Sequence, residues 1–252
     1  MPFWFFLSPE DFQNKKVTLK AELVQHLKAA RLKTGDNFVL SDGLGRAFYA
    51  RLDYINSKNA VASLLDEVQE KVEPSLHVTL FAGVSKGEKM DRIIRQSVEL
   101  GVKKIVPVLT ERTVVRLTSE KGGEKAGRWQ KIAVSAASQC RRSFIPLVHS
   151  PLSFDDMAQA LKKEKIAIVP WEEEKEKGLL RLTRQIEKKP GSICIFTGPE
   201  GGISPEEMAA LNSIEGVYPV SLGPRILRAE TAPLAILSIV MYLWGDLGRK
   251  IE

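Results

Sequence analysis

The sequence predicts an α/β protein in which a small β-rich domain precedes a larger domain built on a parallel sheet. Short apolar runs separated by turn residues occupy the first 70 residues, and longer apolar runs alternating with helical patterns follow. The polar stretch VQEKVEPS at 68–75 indicates a linker. A length of 252 residues would also fit one large domain. Because the pattern changes at the linker, we predict two domains, 1–72 and 73–252.

The N-terminal part reads as strands joined by tight turns. Gly35–Asp36 and the DGLG stretch at 42–45 are hairpin signals. A helical segment at 22–31 interrupts the β pattern. A small β-barrel is the expected fold for the predicted strands, which are FWFFL, KKVTL, NFVLSD, AFYARLDYI and AVASLLD.

The C-terminal part alternates strands and helices. After LHVTLFAGV (76–84), the apolar residues Met90, Ile93, Ile94 and Val98 recur at helical spacing. Apolar runs alternating with helices predict a parallel sheet covered on both faces. The further predicted strands are VKKIVPVL (102–109), KIAIVP (165–170), SICIFTG (192–198) and GVYPVSLG (216–223).

Composition excludes several classes of protein. Hydrophobic and charged fractions of 44% and 27% are typical of a globular chain. The apolar run at 232–244 is too short to span a bilayer and predicts a buried helix, and MPFWFFL reads as a first strand because it lacks the basic start of a signal peptide. Cys140 and Cys194 show no metal or redox spacing. We therefore expect a cytoplasmic protein without a metal or a membrane segment.

The positive charge is concentrated in one part of the chain. Of a net charge of +6, residues 86–142 carry fourteen lysines and arginines against six acidic residues, a local net charge of +8. Such an excess favours a polyanionic partner such as RNA. The alternative is a solvated surface of scattered basic residues.

Three predicted strand ends are candidates for a binding site, since ligands of open parallel sheets bind at the carboxyl ends of the strands. They are IVPWEEE (168–174), FTGPEGG (196–202) and SLGPRILRAETAP (221–233). The glycines of the second have an alternative explanation: Ser204, Pro205 and Glu207 form a helix start with a capping box, so the glycines could serve only the turn into that helix. In the third, an Arg228–Glu230 surface ion pair is the corresponding structural explanation.

GPEGGIS (198–204) together with SLGPRILRAETA (221–232) resembles the bacterial family that methylates N3 of a uridine in 16S ribosomal RNA, within the SPOUT class of methyltransferases that use S-adenosylmethionine. The resemblance covers nearly the whole chain. It extends to HLKAARLKTGD (26–36), KMDRIIRQSVELGV (89–102) and RWQKIAVSAASQCRR (128–142).

The resemblance implies a PUA-like N-terminal β-barrel, a SPOUT-type parallel sheet with a C-terminal trefoil knot, and a homodimer that buries one face of the helix at 233–244. It implies S-adenosylmethionine as cofactor and 16S ribosomal RNA, or the small ribosomal subunit, as partner. The three strand ends would bind the cofactor through Pro170, Trp171, Thr197, Gly198, Glu200, Gly201, Gly202, Ser221, Leu222, Gly223, Ile226 and Leu227. From the resemblance and the basic segment together, the expected RNA contacts are Arg31, Lys33, Arg92, Arg95, Arg141 and Arg142.

For catalysis, position alone makes Glu230 the candidate acceptor of the uracil N3 proton and Arg228 the candidate stabiliser of the uracil anion. Two other functions stay open at this point. A non-catalytic RNA-binding protein of ribosome assembly would explain the charge but not the C-terminal motifs. A nucleotide-phosphate enzyme would use the glycine turn, but no lysine follows the glycines, and Glu200 places an acid where a phosphate would bind.

Overall fold

A computed structural model describes residues 2–70, 72–186 and 188–248, and these fall into two compact units. The first unit comprises Met1–Glu73 and Ala137–Ile145, and the second comprises Pro74–Ala136 and Pro146–Glu252. Residues 137–145 therefore pack with the N-terminal part of the chain, although they are far from it in sequence.

The first unit contains a five-stranded sheet that curls into a half-barrel, in the order β1-β3-β4-β5-β2. The strands are β1 (Trp4–Phe6), β2 (Lys16–Leu19), β3 (Asn37–Ser41), β4 (Ala47–Ile55) and β5 (Ala60–Glu67). β1 and β3 are parallel, and the other neighbours are antiparallel. Each of the five strands predicted for the N-terminal part is present, and all five belong to this sheet.

Helix α1 (Ala21–Ala29) covers the concave core of this unit with Leu23, Val24 and Leu27, which pack with Phe38 and other buried strand residues. The turn between β3 and β4 is closed by Asp42, whose carboxylate accepts hydrogen bonds from the backbone N–H groups of Leu44 and Arg46. The DGLG stretch is thus the predicted hairpin turn.

The second unit contains a seven-stranded sheet with the order β12-β10-β11-β6-β7-β8, and β9 pairs with β7. All of its described pairings are parallel, which confirms the predicted sheet type. Its strands are β6 (His77–Gly83), β7 (Lys104–Leu109), β8 (Leu147–Val148), β9 (Leu152–Ser153), β10 (Ala167–Pro170), β11 (Ser192–Thr197) and β12 (Val217–Val220).

The helices of this unit supply the apolar faces that the sheet needs. Met90, Ile93, Ile94 and Val98 are buried on α2 as their spacing predicts. The sheet core includes Phe196, which packs with residues of α4 and α6. The helices are α2 (Lys89–Glu99), α3 (Ser119–Gln139), α4 (Phe154–Leu161), α5 (Leu179–Gln185), α6 (Pro205–Asn212) and α7 (Ala232–Leu243).

The closing apolar run forms α7, which packs against α2 and β11 and buries Ile236, Leu237, Val240 and Met241. The predicted buried helix is therefore present. Within the described ranges, no helix combines the length and apolar character needed to cross a bilayer.

Arg142 is buried, contrary to the prediction that it contacts RNA. Only 4% of its side chain is exposed, and its guanidinium binds the Glu73 carboxylate, with Nη2 donating to Oε2 at 2.7 Å and Nε donating to the same oxygen at 3.1 Å. The Phe144 N–H donates to the other oxygen of Glu73 at 3.0 Å. The prediction that Arg142 contacts RNA is wrong for this structure, because its donors face a protein carboxylate inside the first unit.

We expect Arg142→Met and Glu73→Gln each to lower the free energy of unfolding by about 3 kcal/mol, because either change removes one member of an ion pair whose arginine is buried. The double variant should lose less than the sum. Denaturant unfolding measures all three. The exposed Arg46–Glu67 pair of the same unit is the control, with side chains 63% and 44% exposed, and Arg46→Met should cost less than about 1 kcal/mol. Equal losses at the two sites would contradict a buried structural pair.

Candidate active site

Parallel pairing brings the three candidate strand ends together. β10 lies between β12 and β11, and Pro170 at the end of β10 is in register with Val220 at the end of β12. The chain leaves all three strands at the same edge of the sheet, so the loops that follow converge on one cleft of about 430 Å³.

Every predicted cofactor-binding residue lines this cleft, and so does Arg228. Glu230 is not among the lining residues, but its carboxylate lies 4.0 Å from Lys89 Nζ, which does line the cleft. Sequence reasoning did not select several other lining residues: Lys89, Glu172, Pro199, Ile203, Pro224, Arg225, Ala229 and Ala232. All of these except Lys89 lie within the strand-end stretches and motifs already singled out, whereas Lys89 begins the stretch 89–102, which the resemblance covers but which was not assigned to the cleft.

The glycine-rich stretch is both a structural turn and a wall of the cleft. Gly202 has a φ of +73°, which favours glycine, and a Cβ at this position would lie 2.3 Å from Glu172 Oε1. Ser204 then caps α6, and both hydrogen bonds of the predicted capping box are present with Glu207. The turn into α6 therefore positions the glycine backbone beside the cleft, and the two explanations of these glycines are compatible.

A loop that sequence reasoning did not select supports the glycine turn from outside. Arg112 follows β7 and donates from Nη1 to the Gly201 carbonyl oxygen at 3.2 Å. The neighbouring Glu111 N–H donates to Glu207 Oε1 at 2.9 Å. Arg112 thus adds an exposed cation beside the cleft, and its backbone position is tied to the start of α6.

The charged groups of the site centre on Lys89. Its Nζ lies 3.1 Å from Glu200 Oε1, which also accepts the Lys86 backbone N–H at 3.1 Å. Partial burial opposes ionisation of Glu200, but hydrogen bonds from backbone N–H groups and from Lys89, with the charge of Lys89, outweigh it and hold the pKa of Glu200 below its usual value. Glu200 is therefore an anion at neutral pH.

Glu230 and Trp171 contain buried polar atoms without hydrogen-bond partners among the described residues. Glu230 Oε2 and Trp171 Nε1 are shielded from solvent and have no hydrogen-bond partner among the described residues. Such atoms carry a desolvation cost that no described hydrogen bond offsets. The ion-pair partner of Glu230 is Lys89 rather than Arg228, so the Arg228–Glu230 surface pair considered from the sequence does not form.

The predicted RNA contacts are distributed over both units. Arg31 and Lys33 are exposed in the first unit, while Arg92 and Arg95 are exposed on α2 and lie three residues apart on the same side of the helix. Arg141 is half-buried with a φ of +61°. Apart from the buried Arg142, these positions present basic side chains at least partly to solvent.

In the part of the chain that the structure describes, no group of three or more His, Cys, Asp or Glu side chains is placed to hold a metal ion.

Comparison with known proteins defines the class. The sequence model of the RNA methyltransferase domain family matches residues 72–241, a range that includes all three strand-end loops and α2. The solved structure of a ribosomal RNA small subunit methyltransferase E from Neisseria gonorrhoeae, bound to S-adenosyl methionine, is 33% identical, with a TM-score of 0.87 over 98% of this chain and 100% of that one. The fold is thus that of an RNA methyltransferase.

Relatives specify the family within that class. Ribosomal RNA small subunit methyltransferase E of Synechocystis is 34% identical over 94% of this chain and 77% of its own length. The Bacillus subtilis protein of the same name is 32% identical over 89% of both chains. A Legionella pneumophila structure with the cofactor SAM bound is 29% identical, with a TM-score of 0.88 over 98% of this chain and 100% of that one. The chain belongs to the ribosomal RNA small subunit methyltransferase E family, which confirms the resemblance inferred from its motifs.

Proposed function

We propose that this chain uses S-adenosylmethionine to methylate uracil N3 in the 16S ribosomal RNA of the small subunit. The observation that carries the proposal is the convergence of both C-terminal motifs and the end of β10 on one cleft, in a chain that superposes on relatives solved with this cofactor bound. The substrate implies that the protein acts in the cytoplasm, where bacterial small subunits are assembled.

The residues of the cleft fit the cofactor. A volume of about 430 Å³ lies within the range of small-molecule sites. The loops at 197–202 and 221–227 offer backbone donors and acceptors beside apolar side chains. We assign cofactor binding to these loops with Pro170 and Trp171. Because Glu200 is engaged by Lys89 and the Lys86 N–H, its part in the site is to hold the glycine loop.

The cofactor, when bound, supplies an activated methyl group, so the protein must orient the acceptor and remove its proton. We assign proton removal from N3 to Glu230, whose partly exposed side chain lies beside the cleft-lining Lys89. The exposed Arg228 can approach the incoming base and stabilise the negative charge on the uracil oxygens. Since N3 lies on the Watson–Crick edge, the target uridine must be unpaired or flipped out.

We further propose the finer features of the fold. Residues 1–72 would be a PUA-like RNA-binding domain, and 73–252 the SPOUT methyltransferase domain with a trefoil knot. The knot is supported by a link between the loops after β10 and β12, where the Ser221 N–H donates to the Lys177 carbonyl oxygen and Gly178 bridges Ser221.

The proposed reaction is tested by incubating unmethylated small subunits with the protein and S-adenosylmethionine. Mass spectrometry of the deproteinised RNA should show one added methyl group, on a nucleoside that co-elutes with N3-methyluridine. Calorimetry should show micromolar binding of the cofactor. Absence of cofactor binding would contradict the proposal and favour a non-catalytic RNA-binding protein.

Variants locate the cofactor in the cleft. Gly201→Val should abolish binding, because a Cβ at Gly201 would lie 2.8 Å from Arg112 Cβ and 3.1 Å from the Arg112 carbonyl oxygen, which displaces the glycine loop. Leu227→Arg should also abolish it by placing a charge in the wall of the cleft. Gly191→Val is the control, since a Cβ there meets open space before β11. Unchanged binding heat in the first two variants would show that the site is misplaced.

RNA affinity should depend on the exposed arginines of α2. We expect Arg92→Ala with Arg95→Ala to reduce the slope of log affinity against log salt by about one unit for each lost phosphate contact, with cofactor binding unchanged. Filter binding to small-subunit RNA over a salt series measures this slope. Lys162→Ala with Lys163→Ala removes the same charge from an exposed turn after α4 and should leave the slope intact. If both double variants gave the same slope of log affinity against log salt, Arg92 and Arg95 would make no special contribution to RNA binding.

We also propose that the protein is a homodimer. On α7, Ile239 and Tyr242 expose 38% and 68% of their surface, which leaves an apolar face that a second copy could cover. Sedimentation at micromolar concentration should give twice the chain mass of 28.1 kDa. A single-chain mass would contradict the proposed dimer.

A further inference from the structure

Lys89 connects the two motif loops of the cleft through its ammonium group. It is the first residue of α2 and lies more than 100 positions before either motif in sequence. Its Nζ is 3.1 Å from Glu200 Oε1 in the glycine loop and 4.0 Å from Glu230 Oε2 in the loop after β12. One cation therefore serves a carboxylate from each motif.

Glu200 determines where that cation lies. The same carboxylate oxygen accepts from Lys89 Nζ and from the Lys86 N–H, so the glycine loop is fastened to the start of α2 at two points. The Lys89 side chain is 35% exposed and that of Glu200 is 26% exposed, so the pair is only partly solvated. An ammonium held in this way has a defined position, unlike that of a lysine free in solvent.

The Lys89 ammonium attracts the Glu230 carboxylate without forming a hydrogen bond to it. Its side chain is 20% exposed, and Oε2 has no hydrogen-bond donor within the described ranges. The 4.0 Å separation from Nζ is too long for a hydrogen bond but short enough for strong attraction between charges. Glu230 Oε2 is therefore compensated electrostatically without a hydrogen bond in the described ranges, and the rest of its side chain keeps partial exposure.

We propose that Lys89 is a positioning residue that holds the Glu230 carboxylate in the orientation needed for removal of the acceptor proton. The inference rests on the proposed function. The N3 proton passes to Glu230, the electron pair of the N–H bond stays on N3 as the nucleophilic pair, and Glu230 returns the proton to water after the reaction. Lys89 acts in this step through Glu230.

A double-mutant cycle on the unliganded protein tests the link without any assay of activity. The free energy of unfolding is measured for the wild type, Lys89→Met, Glu230→Gln and the double variant. The loss caused by Lys89→Met should be smaller in the Glu230→Gln background, because the carboxylate that needs the cation has been neutralised there. Additive losses would overturn the proposed coupling.

Kinetics test the role in the reaction. Lys89→Met should lower kcat by about 10- to 100-fold, as expected for a displaced proton acceptor. Cofactor affinity by calorimetry should stay within about twofold of wild type, because the Lys86 N–H and the capping box of α6 still hold the glycine loop. Lys89→Arg, which keeps the charge, should recover most of the loss. The control Lys163→Met removes an exposed lysine near the start of β10, at the opposite end of that strand from the cleft, and should be fully active.

The outcomes separate the two proposals. An active wild type with a fully active Lys89→Met variant, or with no recovery in Lys89→Arg, would overturn the role of Lys89 alone. Loss of cofactor binding in Lys89→Met would also overturn it, because the residue would then serve the architecture of the cleft. A wild type that binds the cofactor but transfers no methyl group to small subunits would overturn the proposed function, and the role of Lys89 with it.

Discussion

The parallel pairing of β12, β10 and β11 is the constraint on which the site depends. Parallel neighbours end at the same edge of a sheet, so three loops separated by up to 50 residues in sequence open into one cleft. The sheet requires helices on its faces, and α2 and α7 supply them while presenting their N-terminal ends near this edge. Lys89 reaches the cleft because it begins α2. The same parallel strand order thus determines both where the helices pack and which residues line the cleft.

The glycine-rich loop shows how a structural requirement and a binding role coincide. Gly202 must be glycine for its backbone conformation, and Glu207 closes the capping box while also receiving the Glu111 N–H. These interactions hold the backbone of the loop in place before any ligand arrives. A preorganised backbone lowers the conformational cost of binding, so the stability of the turn is itself a contribution to the site.

Charge has to be judged in space rather than along the chain. Arg141 and Arg142 are adjacent in a basic segment, yet Arg142 is buried against Glu73 inside the first unit, and Arg141 is half-buried. Arg92 and Arg95, by contrast, point to solvent from α2. The surplus of positive charge at 86–142 is therefore divided between structural pairs, the Lys89 group of the cleft, and surface available to a polyanion.

The sequence by itself determined the elements and their order. Hydrophobic periodicity places α2 and the parallel strands, the Ser204–Glu207 capping box starts α6, and the two C-terminal motifs predict which strand ends line the cleft, because these are local properties of the chain. Tertiary structure alone decided three things: that residues 137–145 return to the first unit, that Arg142 meets Glu73 across 69 positions, and that Lys89 meets Glu200 and Glu230. Each depends on contacts between distant segments, and neither periodicity nor local spacing carries information about which distant charges will share a desolvated space.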